Sequence, residues 1–163
     1  MISHGIASDH EIDLHEKTWH KALPEFISFY NEAIEHAAGG PPARLNVIHG
    51  YGSSGAGGVL RKRLQNFLKE HALQGRLEFT PGEHADANPG HTLVVPIQPL
   101  PALDELLSEE IWAYCARPRT LSKISGKFRR HGAPTVIAAI DSLVKQRRLR
   151  VIGKGNRKTH EAV

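Results

Sequence analysis

The segment spanning residues 49–58 constrains the fold of this chain more than any other part of it. It places five glycines in the nine residues 50–58, directly after a predicted strand at residues 44–49 and directly before a helical pattern that begins near Val59. Glycine loses more conformational freedom on folding than any other residue, so glycines in this number are expected where a backbone is slack or must approach something closely. The segment predicts a strand–loop–helix unit.

A second strand–helix unit precedes this one. Residues 11–15 alternate polar and apolar side chains, which indicates a strand, and Thr18 is placed to cap a helix that ends at residues 39–42. Further strands are predicted at residues 76–80 and 92–97, separated by a polar loop. The order β-α-β-α-β-β predicts a two-layer α/β domain with its helices on one face of the sheet.

The last third of the chain has a different pattern. Three helices are predicted, at residues 103–117, at residues 120–130 and from Pro134 onward, followed by a terminal hairpin. This order is typical of a small winged helix-turn-helix. The predicted organisation is therefore an α/β domain at residues 1–97, a proline-rich linker at residues 98–102 and the winged-helix module at residues 103–163.

Charge is distributed unevenly between these parts. Residues 117–163 contain 13 of the 21 Lys and Arg and only two acidic residues, a net charge of +11, whereas residues 1–116 carry −7. A basic module of this kind is typical of proteins that bind a polyanion. The chain has no apolar run long enough to cross a membrane and no export signal, so a cytoplasmic location is predicted. The single cysteine, Cys115, excludes an internal disulfide and is expected to be a buried thiol.

The basic module is predicted to bind nucleic acid, mainly through the phosphate backbone. Side chains along the third predicted helix are mostly small, which favours shape-directed binding over reading of base edges. The candidate contacts are Lys123, Lys127, Arg129, Arg130, Thr135, Lys145, Arg147, Arg148, Arg150, Lys154, Arg157 and Lys158. Protein contacts or a solubilising role are the alternatives for this module.

Three residues are candidates for catalysis. Residues two apart in a strand point to the same side, so Asp13 and His15 share one face of the first strand. Because the helices cover the apolar face, Asp13 and His15 are expected on the open face. His49 ends the next parallel strand, and its ring is expected near His15. A surface histidine with a purely local hydrogen bond is the alternative for each ring.

The glycine-rich segment predicts a phosphate site. The first amides of a helix are unpaired and carry partial positive charge, and glycines allow an anion to approach them closely. Two cations on the following helix would add positive charge. The predicted phosphate-binding residues are Gly50, Gly52, Gly55, Gly57, Arg61 and Lys62.

These motifs resemble the small MutS-related (Smr) domain. The matching elements are D-L-H at residues 13–15, H-G-x-G at residues 49–52 leading to V-L-R at residues 59–61, and G-x-T-L-V-V at residues 90–95. The resemblance covers roughly residues 9–97 and implies the β-α-β-α-β-β layout. It also implies an endonuclease that nicks DNA or cleaves RNA, with cleavage roles for Asp13, His15, His49, Gly50 and Gly52.

The chain departs from the family pattern at three places. Glu16 stands where the family has a glycine after the histidine, the glycine loop is longer, and the closing motif at residues 88–92 lacks a further glycine. Two alternatives to an endonuclease therefore stay open: a non-catalytic adaptor that acts at ribosomes or with repair proteins, and a winged-helix transcription regulator.

The preferred mechanism needs no cofactor. One imidazole takes the 2′-hydroxyl proton of RNA and another supplies a proton to the leaving oxygen, while Asp13 orients one ring. Cleavage of DNA, which lacks that hydroxyl, would need an activated water or a divalent ion such as Mg²⁺ or Mn²⁺ on Asp13. Two further histidines, His84 and His91, match no metal-ligand spacing.

Overall fold

The computed structural model describes residues 10–37, 39–51 and 56–163 of the chain. The chain divides into two compact units between Leu100 and Pro101. The described residues contain two β-sheets and six α-helices, which confirms the mixed α/β class. None of these helices has the length and apolar character needed to cross a bilayer.

The first unit alternates strands and helices in the predicted order, with one addition. The polar loop after the third strand contains a four-residue helix that the sequence pattern does not predict. Its elements are β1 (His10–Asp13), α1 (Trp19–His36), β2 (Leu45–Ile48), α2 (Ala56–Leu73), β3 (Leu77–Pro81), α3 (Gly82–Ala85) and β4 (His91–Pro96).

The sheet of the first unit has the strand order β1-β2-β4-β3. Strands β1 and β2 are parallel, and β4 is antiparallel to both of its neighbours. The register aligns Asp13 with Ile48, and Ile48 with His91. Since aligned residues point to the same side of a sheet, these three residues form a row across one face.

The other face of the sheet is covered by α1 and α2. Both helices carry apolar residues at three- and four-residue spacing, so each presents one apolar stripe to the strands. Burying a side chain such as Leu64 stabilises the fold by about 1.5–3 kcal/mol. The buried residues of this core are Leu14, Ala22, Phe26, Ile27, Tyr30, Ala33, Leu45, Val47, Leu60, Leu64, Leu68, Leu77 and Val94.

The segment that follows β4 is hydrogen-bonded to the first unit as far as Leu100. The side chain of Asn31 donates to the carbonyl of Leu100 and accepts from its amide, at 3.0 and 2.8 Å. The hydroxyl of Tyr30 lies 2.8 Å from the carbonyl oxygen of Gln98. Burial raises the pKa of this hydroxyl to about 12, so it remains a hydrogen-bond donor.

The second unit contains three α-helices, two short 3-10 helices and a three-stranded antiparallel sheet of order β5-β7-β6. Its core includes Cys115, whose expected burial is confirmed and whose thiol pKa is raised by that burial. Its elements are α4 (Leu103–Tyr114), β5 (Arg119–Thr120), α5 (Leu121–Lys127), α6 (Ala133–Lys145), β6 (Leu149–Ile152) and β7 (Thr159–Ala162). The core residues are Leu107, Ile111, Cys115, Ile124, Phe128, Val136, Ala139, Ile140, Leu143 and Leu149.

Candidate functional site

An aspartate–histidine pair lies at the C-terminal end of β1. Leu14 is buried, and its amide donates to the carbonyl of Ile48 at 2.7 Å. This anchor directs the flanking Asp13 and His15 away from the core. One carboxylate oxygen of Asp13 accepts from the backbone amide of His15 at 3.0 Å and also from ring nitrogen Nδ1. The carboxylate therefore fixes the ring, with Nε2 on its opposite side.

The pair is exposed to solvent, and each side chain shifts the pKa of the other. The side chains of His15 and Asp13 are 53% and 50% exposed. The hydrogen bond that His15 Nδ1 donates to Asp13 raises the pKa of His15, and the same bond lowers the pKa of Asp13. The ring is therefore a stronger base than an isolated imidazole while remaining in contact with solvent.

Gly50 lies directly beside His15. Its φ of +83° is in the left-handed region, which glycine adopts without strain. A Cβ built on Gly50 would lie 3.6 Å from the Cβ of His15, and the Gly50 amide donates to the carbonyl of Gly90 at 3.0 Å. The ends of β1 and β2 and the start of β4 thus meet at this glycine.

The prediction that the His49 ring lies near His15 on the open face is wrong. The ring is fully buried, and its Nε2 lies 2.9 Å from the hydroxyl oxygen of Thr92, which is also fully buried. Alternation along β2 explains this placement, because residues 45, 47 and 49 point to the helix-covered face. His49 therefore does not join Asp13 and His15 on the open face.

His49 instead supports the turn that follows β2. Its Nδ1 lies 3.0 Å from the carbonyl oxygen of Gly50, so Nδ1 carries the hydrogen and Nε2 accepts from Thr92. Burial lowers the pKa of His49, and nearby Arg61 lowers it further. A neutral imidazole holding the Gly50 carbonyl is a positioning group for the site.

The predicted phosphate-binding residues are only partly brought to the site. Arg61 on α2 is already paired, because its guanidinium donates to Glu83 of α3 at 2.5 Å and its side chain is only 30% exposed. Lys62 is exposed on the same helix. Gly57 lies in α2, and Gly52 and Gly55 lie outside the described residues.

Glu16 occupies a backbone position suited to glycine. Its φ is +62°, in the left-handed region, where side chains other than glycine cost about 1–2 kcal/mol. The departure from the D-L-H-G pattern therefore places an L-residue at a strained position. Its exposed carboxylate also adds negative charge beside His15 and contributes to raising the pKa of that ring.

Replacing Glu16 with glycine is expected to stabilise the protein. Relief of the left-handed strain exceeds the extra entropy of glycine in the unfolded chain, giving a gain of about 0.5–1 kcal/mol in the free energy of unfolding. Urea denaturation measures this gain. Glu16→Ala is the control, because alanine removes the carboxylate and keeps the strain; an equal gain in both variants would contradict the backbone explanation.

The open face of the sheet carries a groove that sequence reasoning did not identify. Its volume is roughly 700 Å³. Across it, His91 Nδ1 lies 2.6 Å from Asn46 Oδ1, and His91 Nε2 lies 2.8 Å from Asp86 Oδ1. Residues lining the groove are Arg44, Asn46, Glu78, Phe79, Thr80, His84, Ala85, Asp86, His91, Leu93 and Val95. The pairing of β4 with both β2 and β3 brings these side chains together.

The described part of the chain contains several histidines and carboxylates on and around the sheet of the first unit. No group of three or more His, Cys, Asp or Glu side chains there is arranged to hold a metal ion. The Asp13–His15 pair offers two such side chains.

The basic residues of the second unit divide into two sets. Arg148 donates to both carboxylate oxygens of Glu109, at 2.6 and 3.0 Å, and Arg150 donates to Glu161 at 2.5 Å. These two arginines are therefore engaged within the unit. The remaining predicted contacts are exposed: Lys123, Lys127, Arg129, Arg130, Thr135, Lys145, Arg147, Lys154, Arg157 and Lys158.

Comparison with known protein families gives one match. The Smr domain matches residues 12–95, which is just over half of the chain. The matched region begins in β1 and ends in β4, so it contains the Asp13–His15 pair, Gly50 and the groove. No match was found among curated proteins or among solved structures.

Proposed function

The chain belongs to the Smr domain family, and from this membership we propose that it is a nucleic-acid endonuclease. Smr domains are associated with nucleic-acid binding and with nicking of nucleic acid. The first unit cleaves the phosphodiester bond, and the second unit holds the substrate. The observation that carries the proposal is the exposed imidazole of His15, oriented by Asp13 and lying beside Gly50.

His15 acts as the general base in this proposal. With Nδ1 bonded to Asp13, Nε2 is the nitrogen that meets the substrate. On RNA, the 2′-oxygen attacks phosphorus as Nε2 accepts its proton, and the P–O5′ bond breaks. The 5′-oxygen takes a proton from solvent, leaving a 2′,3′-cyclic phosphate and a 5′-hydroxyl. General-base catalysis of this kind contributes about 10²- to 10⁴-fold to a rate.

RNA is the substrate that this site supports best. The described residues place one exposed, carboxylate-bonded imidazole at the end of β1, and RNA supplies its own nucleophile. Cleavage of DNA requires an activated water, for which a divalent ion on Asp13 is the alternative. Incubating the purified protein with labelled single-stranded RNA, duplex DNA and branched DNA, with and without EDTA, tests the choice. Cyclic phosphate ends that persist in EDTA support the proposal, and metal-dependent cleavage of DNA alone contradicts it.

Replacing Asp13 with asparagine is expected to move the acidic limb of the pH–rate profile to lower pH. The carboxylate raises the pKa of His15, so its removal lowers that pKa and makes the ring a neutral base at lower pH. Asparagine can still accept a hydrogen bond from Nδ1, so the ring stays oriented. The measurement is cleavage rate against pH.

Asp86→Asn is the matched control for this profile. Asp86 is likewise an exposed carboxylate bonded to a histidine ring, but its partner is His91 in the groove. The acidic limb should stay in place in Asp86→Asn. If it moves in that variant, or does not move in Asp13→Asn, a group other than His15 determines this limb of the profile.

We propose in addition that the second unit is a winged helix that binds the phosphate backbone. Its order of helices and strands and its antiparallel sheet support this, with residues 153–158 connecting β6 to β7 as the wing. Lys154, Arg157 and Lys158 are exposed in that connection. Cations of this kind give binding that is independent of sequence and sensitive to salt.

Replacing Lys154, Arg157 and Lys158 together with alanine is expected to reduce the salt dependence of binding. Each lost phosphate contact lowers the slope of log K against log salt by about 0.9, so the slope should fall by about 2 to 3. A triple variant of exposed cations in the first unit, Lys21, Arg63 and Lys69 to alanine, changes net charge equally. Equal slopes in the two variants would contradict a role for the wing.

A further inference from the structure

Tyr51 is a large aromatic side chain on the surface beside the Asp13–His15 pair. It is 65% exposed. It follows Gly50, whose built Cβ would lie 3.6 Å from the Cβ of His15. A phenol ring this exposed contributes little to the core and is accessible to a ligand.

The ring of Tyr51 is seated on Gly90. A Cβ built on Gly90 would lie 3.2 Å from ring carbons Cε2 and Cζ of Tyr51, so the ring lies in close contact with this glycine. Gly90 is held in place by hydrogen bonds on both sides. Its amide donates to Asn88 Oδ1 at 3.0 Å, and its carbonyl accepts from the amides of His49 and Gly50. The ring therefore contacts Gly90 and is otherwise largely exposed to solvent.

We propose that Tyr51 is a stacking platform for an unpaired nucleobase next to the phosphate that is cleaved. This inference rests on the proposed function and adds to it the class of substrate, a single-stranded segment. Tyr51 follows Gly50 directly in the chain, and Gly50 lies beside His15, so the base would belong to a nucleotide next to the cleaved phosphate. A base in a duplex is covered on both faces by its neighbours and is unable to stack on a side chain. Stacking on aromatic rings tolerates any base, so it selects for single strands and not for sequence.

The test uses single-stranded RNA that carries the fluorescent base 2-aminopurine, whose emission is quenched by stacking. Wild-type protein is expected to quench the probe, and Tyr51→Phe is expected to quench it equally. Tyr51→Leu, which keeps an apolar side chain and loses the ring system, should leave the emission high. It should also weaken binding of the single strand by about fivefold to a hundredfold. Binding of a duplex of the same sequence should not change.

Gly90→Ala provides a second, independent variant. The added Cβ would lie 3.2 Å from two ring carbons of Tyr51, so the ring has to shift by a few tenths of an ångström, and quenching should fall by less than in Tyr51→Leu. Thermal unfolding of each variant shows whether the fold is retained. Leu73→Ala, a change at a residue that is 83% exposed at the end of α2, is the control for loss of exposed apolar surface.

The outcomes separate this inference from the proposed function. Cleavage that depends on His15, together with equal quenching by wild type and Tyr51→Leu, overturns the stacking platform and leaves the endonuclease intact. Quenching that depends on Tyr51 without any cleavage supports the platform and overturns the endonuclease. Equal weakening of single-strand and duplex binding by Tyr51→Leu also counts against the platform.

Discussion

Replacing His15 with alanine is expected to lower the rate of phosphodiester cleavage by about 10²- to 10⁴-fold. The substitution removes the proton acceptor and leaves the supports of the site unchanged, because the contacts of Leu14 and Gly50 are made by backbone atoms. Binding of uncleaved substrate should change little. Single-turnover kinetics with the purified variant measures the rate apart from binding.

His36→Ala is the matched control for that experiment. His36 is an exposed histidine in the last turn of α1, so this variant also loses one surface imidazole. Its cleavage rate should equal that of the wild type. Undiminished cleavage by His15→Ala would remove His15 from the mechanism, and an equal loss in both variants would show that the loss is not specific to His15.

Gly82→Ala is expected to be the most destabilising small substitution in the first unit. A Cβ on Gly82 would lie 1.9 Å from the carbonyl oxygen of Asn88 and 2.6 Å from that of His91. Both obstacles are backbone atoms, so the loop that carries α3 would have to move. We expect a loss of about 3 kcal/mol or more in the free energy of unfolding, comparable to severe overpacking of a core.

Gly126→Ala provides the matched comparison. A Cβ on Gly126 would meet nothing within 4 Å, and this glycine lies in helix α5. Alanine should therefore leave stability unchanged or raise it by about 0.5–1 kcal/mol. Denaturant titration of both variants measures the difference. A Gly82→Ala variant as stable as the wild type would show that the loop at residues 82–90 adjusts at little cost.

The elements of the first unit follow from local patterns. The alternation of residues 11–15 and the helical spacing of Phe26, Tyr30, Leu64 and Leu68 depend on neighbours in sequence, so they could be predicted from the chain alone. The same alternation places Asp13 and His15 opposite the buried Leu14. These features are local, and local features are the ones that a single sequence specifies.

The buried position of the His49 ring follows from the alternation of side chains along β2, which the meeting of strand ends alone does not reveal. Ends of parallel neighbouring strands do meet, which is why His15 lies against Gly50. The alternation along β2 nevertheless assigns residue 49 to the same face as Leu45 and Val47, and both of these are fully buried. The signal was present in the sequence, because two apolar residues two and four positions earlier indicate the covered face.

Other features of the site depend on contacts between distant residues. The pairing of Arg61 with Glu83 joins α2 to α3, and α3 is a helix of four residues with no periodicity to indicate it. The support of Tyr51 by Gly90 likewise depends on the register of two strands. A single sequence does not show which distant residues are in contact, so these features could not be predicted from it.

The location of β1 at the margin of its sheet affects which molecules can reach the Asp13–His15 pair. Within the part of the chain that the structure describes, no further strand lies beyond β1, and the pair is about half exposed. A polymer can lie against such a margin anywhere along its length, so no free terminus has to be threaded through a tunnel. Under the proposed function, we therefore expect a covalently closed single strand to be cleaved as readily as a linear one.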